Sequence, residues 1–148
     1  MSTVVLRRAR PEDCRAVFEW RNAEETRRHF FDPRPLEYAG HETWFHATLA
    51  DPARHLLVAE SDGRPVGVVR LDEGPASADV DVYVVPGQVG RGHGTRMLQE
   101  AARWARKETR IRKLVARVLE ENVASLRAFE KAGFRAEHRV LTLDLEAP

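Results

Sequence analysis

Val82-Tyr83-Val84-Val85-Pro86-Gly87-Gln88-Val89-Gly90-Arg91-Gly92-His93-Gly94-Thr95 is the stretch on which the fold turns. Its first four residues are a continuous apolar run, which reads as the end of a buried strand. Glycines then alternate at positions 90, 92 and 94. His93–Glu108 follows as the longest helix, with Met97, Leu98, Ala101, Trp104 and Ala105 at helical spacing. Glycine tolerates left-handed backbone angles, so successive amide N–H groups can converge on one concavity at the positive end of the helix. Such a nest suits a pyrophosphate. Thr95 adds a hydroxyl donor and Arg91 a charge. A plain strand-to-helix turn would use the same glycines, so the local pattern leaves both readings open. No Gly-Lys-Ser/Thr follows, which excludes a Walker loop. The spacing is also not the Gly-x-Gly-x-x-Gly dinucleotide fingerprint.

Upstream, His55–Glu60 and Pro65–Leu71 flank the turn signal Asp62-Gly63, and Glu73-Gly74-Pro75 turns into Ala78–Val85. These three strands are expected to form an antiparallel meander. Thr3–Arg8 reads as a first strand. Pro11-Glu12-Asp13 opens a helix with Ala16, Val17 and Trp20 on its apolar side, broken at Asn22-Ala23. Glu24–Phe31 is expected as a second short helix and Asp32–Pro35 as a loop. Glu37–Leu49 is a third helix with Trp44, Phe45, Thr48 and Leu49 on its apolar side. Downstream, Lys113–Leu119 is strongly apolar and is expected as a central strand. Asn122 caps a last helix that Gly133 closes, and Phe134–Leu145 is expected as a final strand or a pair of short ones. The order β-α-α-α-β-β-β-α-β-α-β describes one mixed sheet with helices on both faces.

Composition narrows the function. A chain of 148 residues has room for one core, so residues 1–148 are expected as a single domain. Lys+Arg is 24 and Asp+Glu 23, a net charge of +1, which lacks the basic excess that a phosphate-tracking nucleic-acid binder needs. The single cysteine, Cys14, excludes an intramolecular disulfide and a multi-cysteine zinc site, and a reducing cytoplasm is the simplest compartment. The longest apolar runs are four residues, far short of a membrane span, and the first residues read as a strand rather than a signal peptide. His29, His46, His55 and His138 show no ligand spacing, so no metal is expected.

The glycine stretch resembles the acetyl-CoA-binding motif of the GNAT superfamily of N-acetyltransferases, Arg/Gln-x-x-Gly-x-Gly/Ala between a strand and a helix. Gly92 and Gly94 match its last two positions, while Val89 stands where Arg or Gln is usual. A second block, Asn122-x-x-Ser125-x-x-x-Phe129-x-Lys131-x-Gly133-Phe134, resembles the family's later motif Asn-x-x-Ala/Ser-x-x-x-Tyr-x-Lys-x-Gly-Phe. The match spans residues 78–136. It implies an α+β, three-layer αβα fold with a mixed, mostly antiparallel sheet, and acetyl-CoA as cosubstrate. It also implies that the strands at Ala78–Val85 and Lys113–Leu119 splay apart. The pantetheine arm would then pair with backbone near Val84 and Val85, and the pyrophosphate would sit on Gly90, Arg91, Gly92, His93, Gly94 and Thr95. Asn122 would serve that arm or the substrate amide, the helix cap, or both. The family's thiolate-protonating tyrosine is replaced by Phe129.

Amide formation from a thioester needs a neutral amine, a stabilised oxyanion and a leaving thiolate. A thiol of pKa about 8.5 leaves readily, so loss of the tyrosine does not abolish acyl transfer. Along Ala78–Val85, Asp79, Asp81 and Tyr83 share one face. Asp81 or Asp79 is the expected base, on a face that a merely solvated sheet would also present. Tyr83 is either a substitute acid or a part-buried aromatic. Trp20-Arg21-Asn22 and His41-x-x-Trp44 resemble the subgroup acting on nucleotide-linked amino sugars. That resemblance makes Arg21, Asn22, His41 and Trp44 substrate-binding candidates, against a core role for the aromatics, an ion pair for Arg21 and a base role for His41; Tyr83 joins the candidates from the shared strand face. The expectation is a cytoplasmic enzyme acetylating a primary amine of a small molecule, including amino sugars. The alternatives are a ribosomal-protein-type N-terminal acetyltransferase and a non-catalytic acyl-CoA-binding module. The short C-terminal strand region leaves an edge that a homodimer could use.

Overall fold

The computed structural model describes residues 3–146. Strands β1 (Val4–Arg8), β2 (Arg54–Ser61), β3 (Arg64–Glu73) and β4 (Ala78–Val84) form an antiparallel meander, and β5 (Leu114–Val115) joins β4 in parallel. The sheet order is β1-β2-β3-β4-β5. Helices α1 (Cys14–Asn22), α2 (Glu24–Arg27) and α3 (Tyr38–Ala50) separate β1 from β2. Helix α4 (His93–Glu108) follows β4, and α5 (Val123–Lys131) follows β5.

Strand alternation splits the apolar residues between two layers. Leu57, Val69, Leu71 and Val80 meet Met97, Leu98, Ala101 and Ala105 of α4 and Phe129 of α5. Leu56, Val58 and Val68 meet Val17 of α1 and Phe45 of α3 on the other face. Sequential antiparallel neighbours need only short turns, which Asp62-Gly63 and Gly74–Ser77 supply. At Gly63 the backbone is left-handed, with φ +75°.

Two expectations about strands are corrected. Lys113–Leu119 is not a central strand: only Leu114 and Val115 pair, opposite Ala78 and Asp79, and β5 lies at the end of the sheet. Residues 134–145 form no strand, and Leu141, Leu143 and Leu145 are 83–89 % exposed. Apolar alternation states which face of a strand would be buried, but a strand also needs a free edge beside it, and sequence does not report that. Glu24–Phe31 is helical only to Arg27, since residues 28–36 run as turns and bends tied by Arg27. The Arg27 guanidinium donates to the Asn22 carbonyl at 3.1 Å and the Pro33 carbonyl at 3.2 Å.

Gly67 sets how closely α4 approaches the sheet. A Cβ there would collide with the Met97 side chain and stand 2.7 Å from the Tyr83 carbonyl. Gly67→Ala must therefore displace α4 or β4. Chemical denaturation of this variant should show a loss of about 1–3 kcal/mol, the usual cost of overpacking a core.

Candidate active site

After Asp79, β4 loses its neighbour. Its other edge stays paired with β3 as far as the Val84–Gly67 pair. Parity decides which backbone groups face the vacated side. Ala78 N–H donates across to Lys113 at 3.0 Å, whereas Val85 N–H donates to Val66 of β3 at 2.8 Å. Alternation therefore turns the N–H and C=O of Val82 and Val84 into the gap. Val85, expected to share that role, has both backbone groups engaged, because its carbonyl accepts from Gln88 N–H at 2.9 Å.

The gap opens into a cavity of about 940 Å³. Its floor is β4, one wall is residues 115–119 with Asn122 and Phe129, and its end is the turn into α4. In that turn Gly90 and Gly92 are both left-handed at φ +79°. Gly92 caps α4 without a side chain, and the first α4 amide to find a carbonyl within the turn is Arg96, on Gly92 at 3.4 Å. The amides of His93, Gly94 and Thr95 are thus the open donors of the helix start. Gly94 faces Ala128 of α5, where a Cβ would stand in ordinary contact, 3.6 Å from the alanine methyl. His93 is buried, with Nδ1 unpartnered. Burial, then Arg96 and Arg91, push its pKa down, so the ring is neutral at pH 7.

The later sequence block is a helix with both ends specified. Asn122 Oδ1 accepts from Ser125 N–H at 3.3 Å, capping α5 and leaving the carboxamide N–H groups at the cavity. At the other end Phe134 N–H reaches the Phe129 carbonyl and Gly133 N–H the Glu130 carbonyl, both at 3.0 Å. Gly133 is left-handed at φ +104°, and the Phe129 and Phe134 rings meet edge-on at 4.9 Å. These features make a Schellman stop.

The face of β4 toward α1 and α3 is charged. Asp81 lies opposite Arg70 with a 3.8 Å ion pair, and Asp79 pairs with Arg117 at 3.0 Å; their side chains are 42 % and 57 % exposed. Tyr83 stands edge-on to Phe30 at 6.1 Å. Burial raises its phenol well above the usual tyrosine range, which makes it a hydrogen-bond donor and a poor acid for a thiolate. Trp44 is half-buried, with the guanidinium carbons of Arg21, Arg54 and Arg70 at 5.1, 5.7 and 5.6 Å from its ring centre.

Two substrate candidates hold structure together. Asn22 Oδ1 accepts from Leu36 N–H at 2.7 Å, which fastens the loop after α2. His41 is buried among Phe18, Tyr38, Trp44 and Phe45. Its Nε2 donates to the Cys14 carbonyl at 3.0 Å, its Nδ1 is enclosed without a partner, and burial lowers its pKa. It borders a separate cavity of about 420 Å³. Sequence reasoning missed Arg70 and Phe30. An arginine inside the apolar run Val66–Leu71 was the available signal for the first, whereas Phe30 comes to the site through an irregular loop.

An acetyltransferase (GNAT) domain model matches residues 3–135. The chain belongs to the GNAT acetyltransferase family. No curated protein matches it. The fold is shared with aminoglycoside acetyltransferase AAC(6')-Ib in complex with coenzyme A and kanamycin, at TM-score 0.82 and 20 % identity over 93 % of this chain and 87 % of that one. It is shared with a spermidine N-acetyltransferase from Vibrio cholerae in complex with CoA and spermine, at 0.82 and 21 % over 92 % and 83 %. A domain from Methanocaldococcus jannaschii DSM 2661 aligns at 0.82 and 20 % over 95 % and 93 %. In this GNAT member no helix among the described residues is long and apolar enough to cross a membrane.

The cap can be tested by itself. Asn122→Asp keeps an acceptor for Ser125 N–H and should leave thermal stability nearly unchanged, whereas Asn122→Ala should cost about 1 kcal/mol in the same melts.

Proposed function

We propose that the chain is an acetyl-CoA-dependent N-acetyltransferase that acts on a primary amine of a small molecule, with residues 1–148 as one catalytic domain. The observation that carries this reading is the gap beside β4, which runs from the free backbone groups of Val82 and Val84 to the open amides at the start of α4. An acyl carrier with an amide-bearing arm and a pyrophosphate needs those two kinds of donor in that order. The coenzyme A complexes of the AAC(6')-Ib and spermidine N-acetyltransferase neighbours support the same cosubstrate.

Within this reading Gly90–Thr95 holds the pyrophosphate. Arg91 adds charge, and the Asn122 carboxamide donates to the arm. Val84 N–H is the donor for the developing oxyanion. Asp81 takes the amine proton, directly or through water, since it lies past the last β4–β5 pair. Asp79 lies at that pair and is tied to Arg117, so it is the second candidate. Phe129 closes the cavity as an apolar wall, and no described side chain at its position protonates the thiolate. The aromatic rings of Trp44 and Phe30 suit a sugar face, which supports an amino sugar among the acceptors. The open edge of β5 and the exposed Leu141, Leu143 and Leu145 support a homodimer. Cytoplasmic location remains the simplest setting for a chain with one buried, unpaired cysteine.

Two measurements test the assignment. Gly92→Val puts a β-branched side chain at a left-handed position and distorts the nest. Calorimetry should show acetyl-CoA affinity reduced about tenfold or more in a variant that still melts cooperatively, and undiminished affinity would remove the nest from the site. Asp81→Asn should lower acetyl transfer in CoA-release assays across amino sugars, polyamines and peptides. The deficit should shrink as pH rises, because an alkyl amine of pKa about 10 then sheds its proton unaided. Asp79→Asn should have the smaller effect, and unaltered rates in both variants at pH 7 would place the base elsewhere.

A further inference from the structure

Arg21 differs from the two arginines that share its aromatic neighbour. It lies in the last turn of α1, beside the cavity, with its guanidinium carbon 5.4 Å from the Phe30 ring centre and 5.1 Å from that of Trp44. Arg54 and Arg70, which share the Trp44 ring, both bind Asp72, and Arg70 also meets Asp81. Arg21 forms no ion pair and no hydrogen bond with any described residue. Burial is the largest influence on it and pushes its pKa down. A guanidinium has five N–H donors in a fixed fork, a shape that matches a carboxylate or phosphate. Ring contacts engage the face of the group and leave its N–H edge for a ligand.

The surroundings hold this arrangement. The next residue, Asn22, receives Leu36 N–H on its side chain and the Arg27 guanidinium on its carbonyl, which fixes the end of α1. Tyr83 lies on the same cavity as a neutral phenol, a second donor. Asp81 lines the same cavity and is the base assigned above to the incoming amine.

We propose that Arg21 anchors a carboxylate or phosphate of the acceptor while the acceptor's amine meets Asp81, so the preferred substrates are primary amines that carry an anionic group. This rests on the reading of the cavity as an N-acetyltransferase site and narrows its substrate class. Kanamycin and spermine, named with two of the neighbours, are polycations. Arg21 and Arg28, neither in an ion pair among the described residues, oppose a second positive charge in this cavity, while Asp79 and Asp81 are already faced by Arg117 and Arg70.

The test uses matched acceptors in the full chain. Ethanolamine phosphate is set against ethanolamine, glucosamine 6-phosphate against glucosamine, and 4-aminobutyrate against butylamine, with spermidine as the polycation. CoA release gives kcat and KM, and calorimetry on the CoA-loaded protein gives binding. The native chain should prefer the anionic member of at least one pair by about tenfold in kcat/KM, carried by KM, as expected for a charge-assisted fork. Arg21→Gln should bring that ratio close to one, and Arg21→Lys should retain part of it. The pairs that respond separate phosphate from carboxylate. A preference for spermidine or the neutral members overturns the proposal, as does a ratio that Arg21→Gln leaves intact. If no amine releases CoA, the N-acetyltransferase reading fails, and calorimetry still decides on Arg21. Anionic probes whose binding is lost in Arg21→Gln support the anchor, whereas probes that never bind, or bind both proteins alike, overturn it. Cooperative melting of Arg21→Lys separates loss of the anchor from loss of the fold.

Discussion

A strand that loses a neighbour keeps its hydrogen-bonding groups. Past Asp79, β4 has β3 on one side and no paired strand among the described residues on the other, so every second residue presents an N–H and a C=O to the gap. Backbone groups left in this state are costly in an apolar setting and useful beside a ligand that carries amides of its own. The remaining parts of the site are arranged around that opening. The β3 ladder holds β4 extended along its whole length, and Gly67 lets Met97 lie directly beneath it. The left-handed glycines then turn the chain so that α4 starts where the gap ends.

The two faces of the sheet carry different tasks because the side-chain period is two. The face toward α4 and α5 is mostly apolar, and Leu57, Val69, Leu71 and Met97 leave almost no exposed surface, while His55, bonded to Glu73, packs on Trp104 at its end. The opposite face is apolar at Leu56, Val58 and Val68 and changes to Arg54, Arg70, Asp72, Asp79 and Asp81 toward the end of β4 that pairs with β5. Charges there stay half-solvated and paired, so they avoid the penalty of full burial. Trp44 bridges the two regions, with its ring toward the core on one side and toward three guanidinium groups on the other. That change from apolar to charged ground gives an acceptor pocket both an aromatic surface and charge of either sign.

Helix α5 shows how one short block can serve structure and site together. Its Asn is an N-cap, its Gly-Phe is a helix stop, and its Phe129 packs into the core beneath the cavity. Exact helix ends matter here because α5 stands across the gap from β4, and a shifted start would move Asn122 out of it. The same geometry explains why a phenylalanine is acceptable at position 129: the ring's packing against Phe134 and the core does not need a hydroxyl.

Local chemistry was legible in the residues themselves. The glycine turn before α4, the Asn122 cap, the Gly133 stop, the meander and the shared face of Asp79, Asp81 and Tyr83 all follow from rules that act over a few residues, such as left-handed angles, capping and period-two alternation. Other features depended on residues distant in the chain. Whether Lys113–Leu119 pairs fully or parts from β4 depends on where its neighbour goes, and so does the fate of the apolar alternation after Phe134. Val85 fell out of the gap because parity gave its N–H to Val66. His41 and Arg21 both carry nitrogen donors in the sequence, and only packing gave His41 the Cys14 carbonyl and left Arg21 at the larger cavity without a counter-ion among the described residues. Sequence determined which groups the chain can offer, and tertiary structure decided which of them remain unsatisfied, because partners are assigned by three-dimensional neighbours rather than by spacing along the chain.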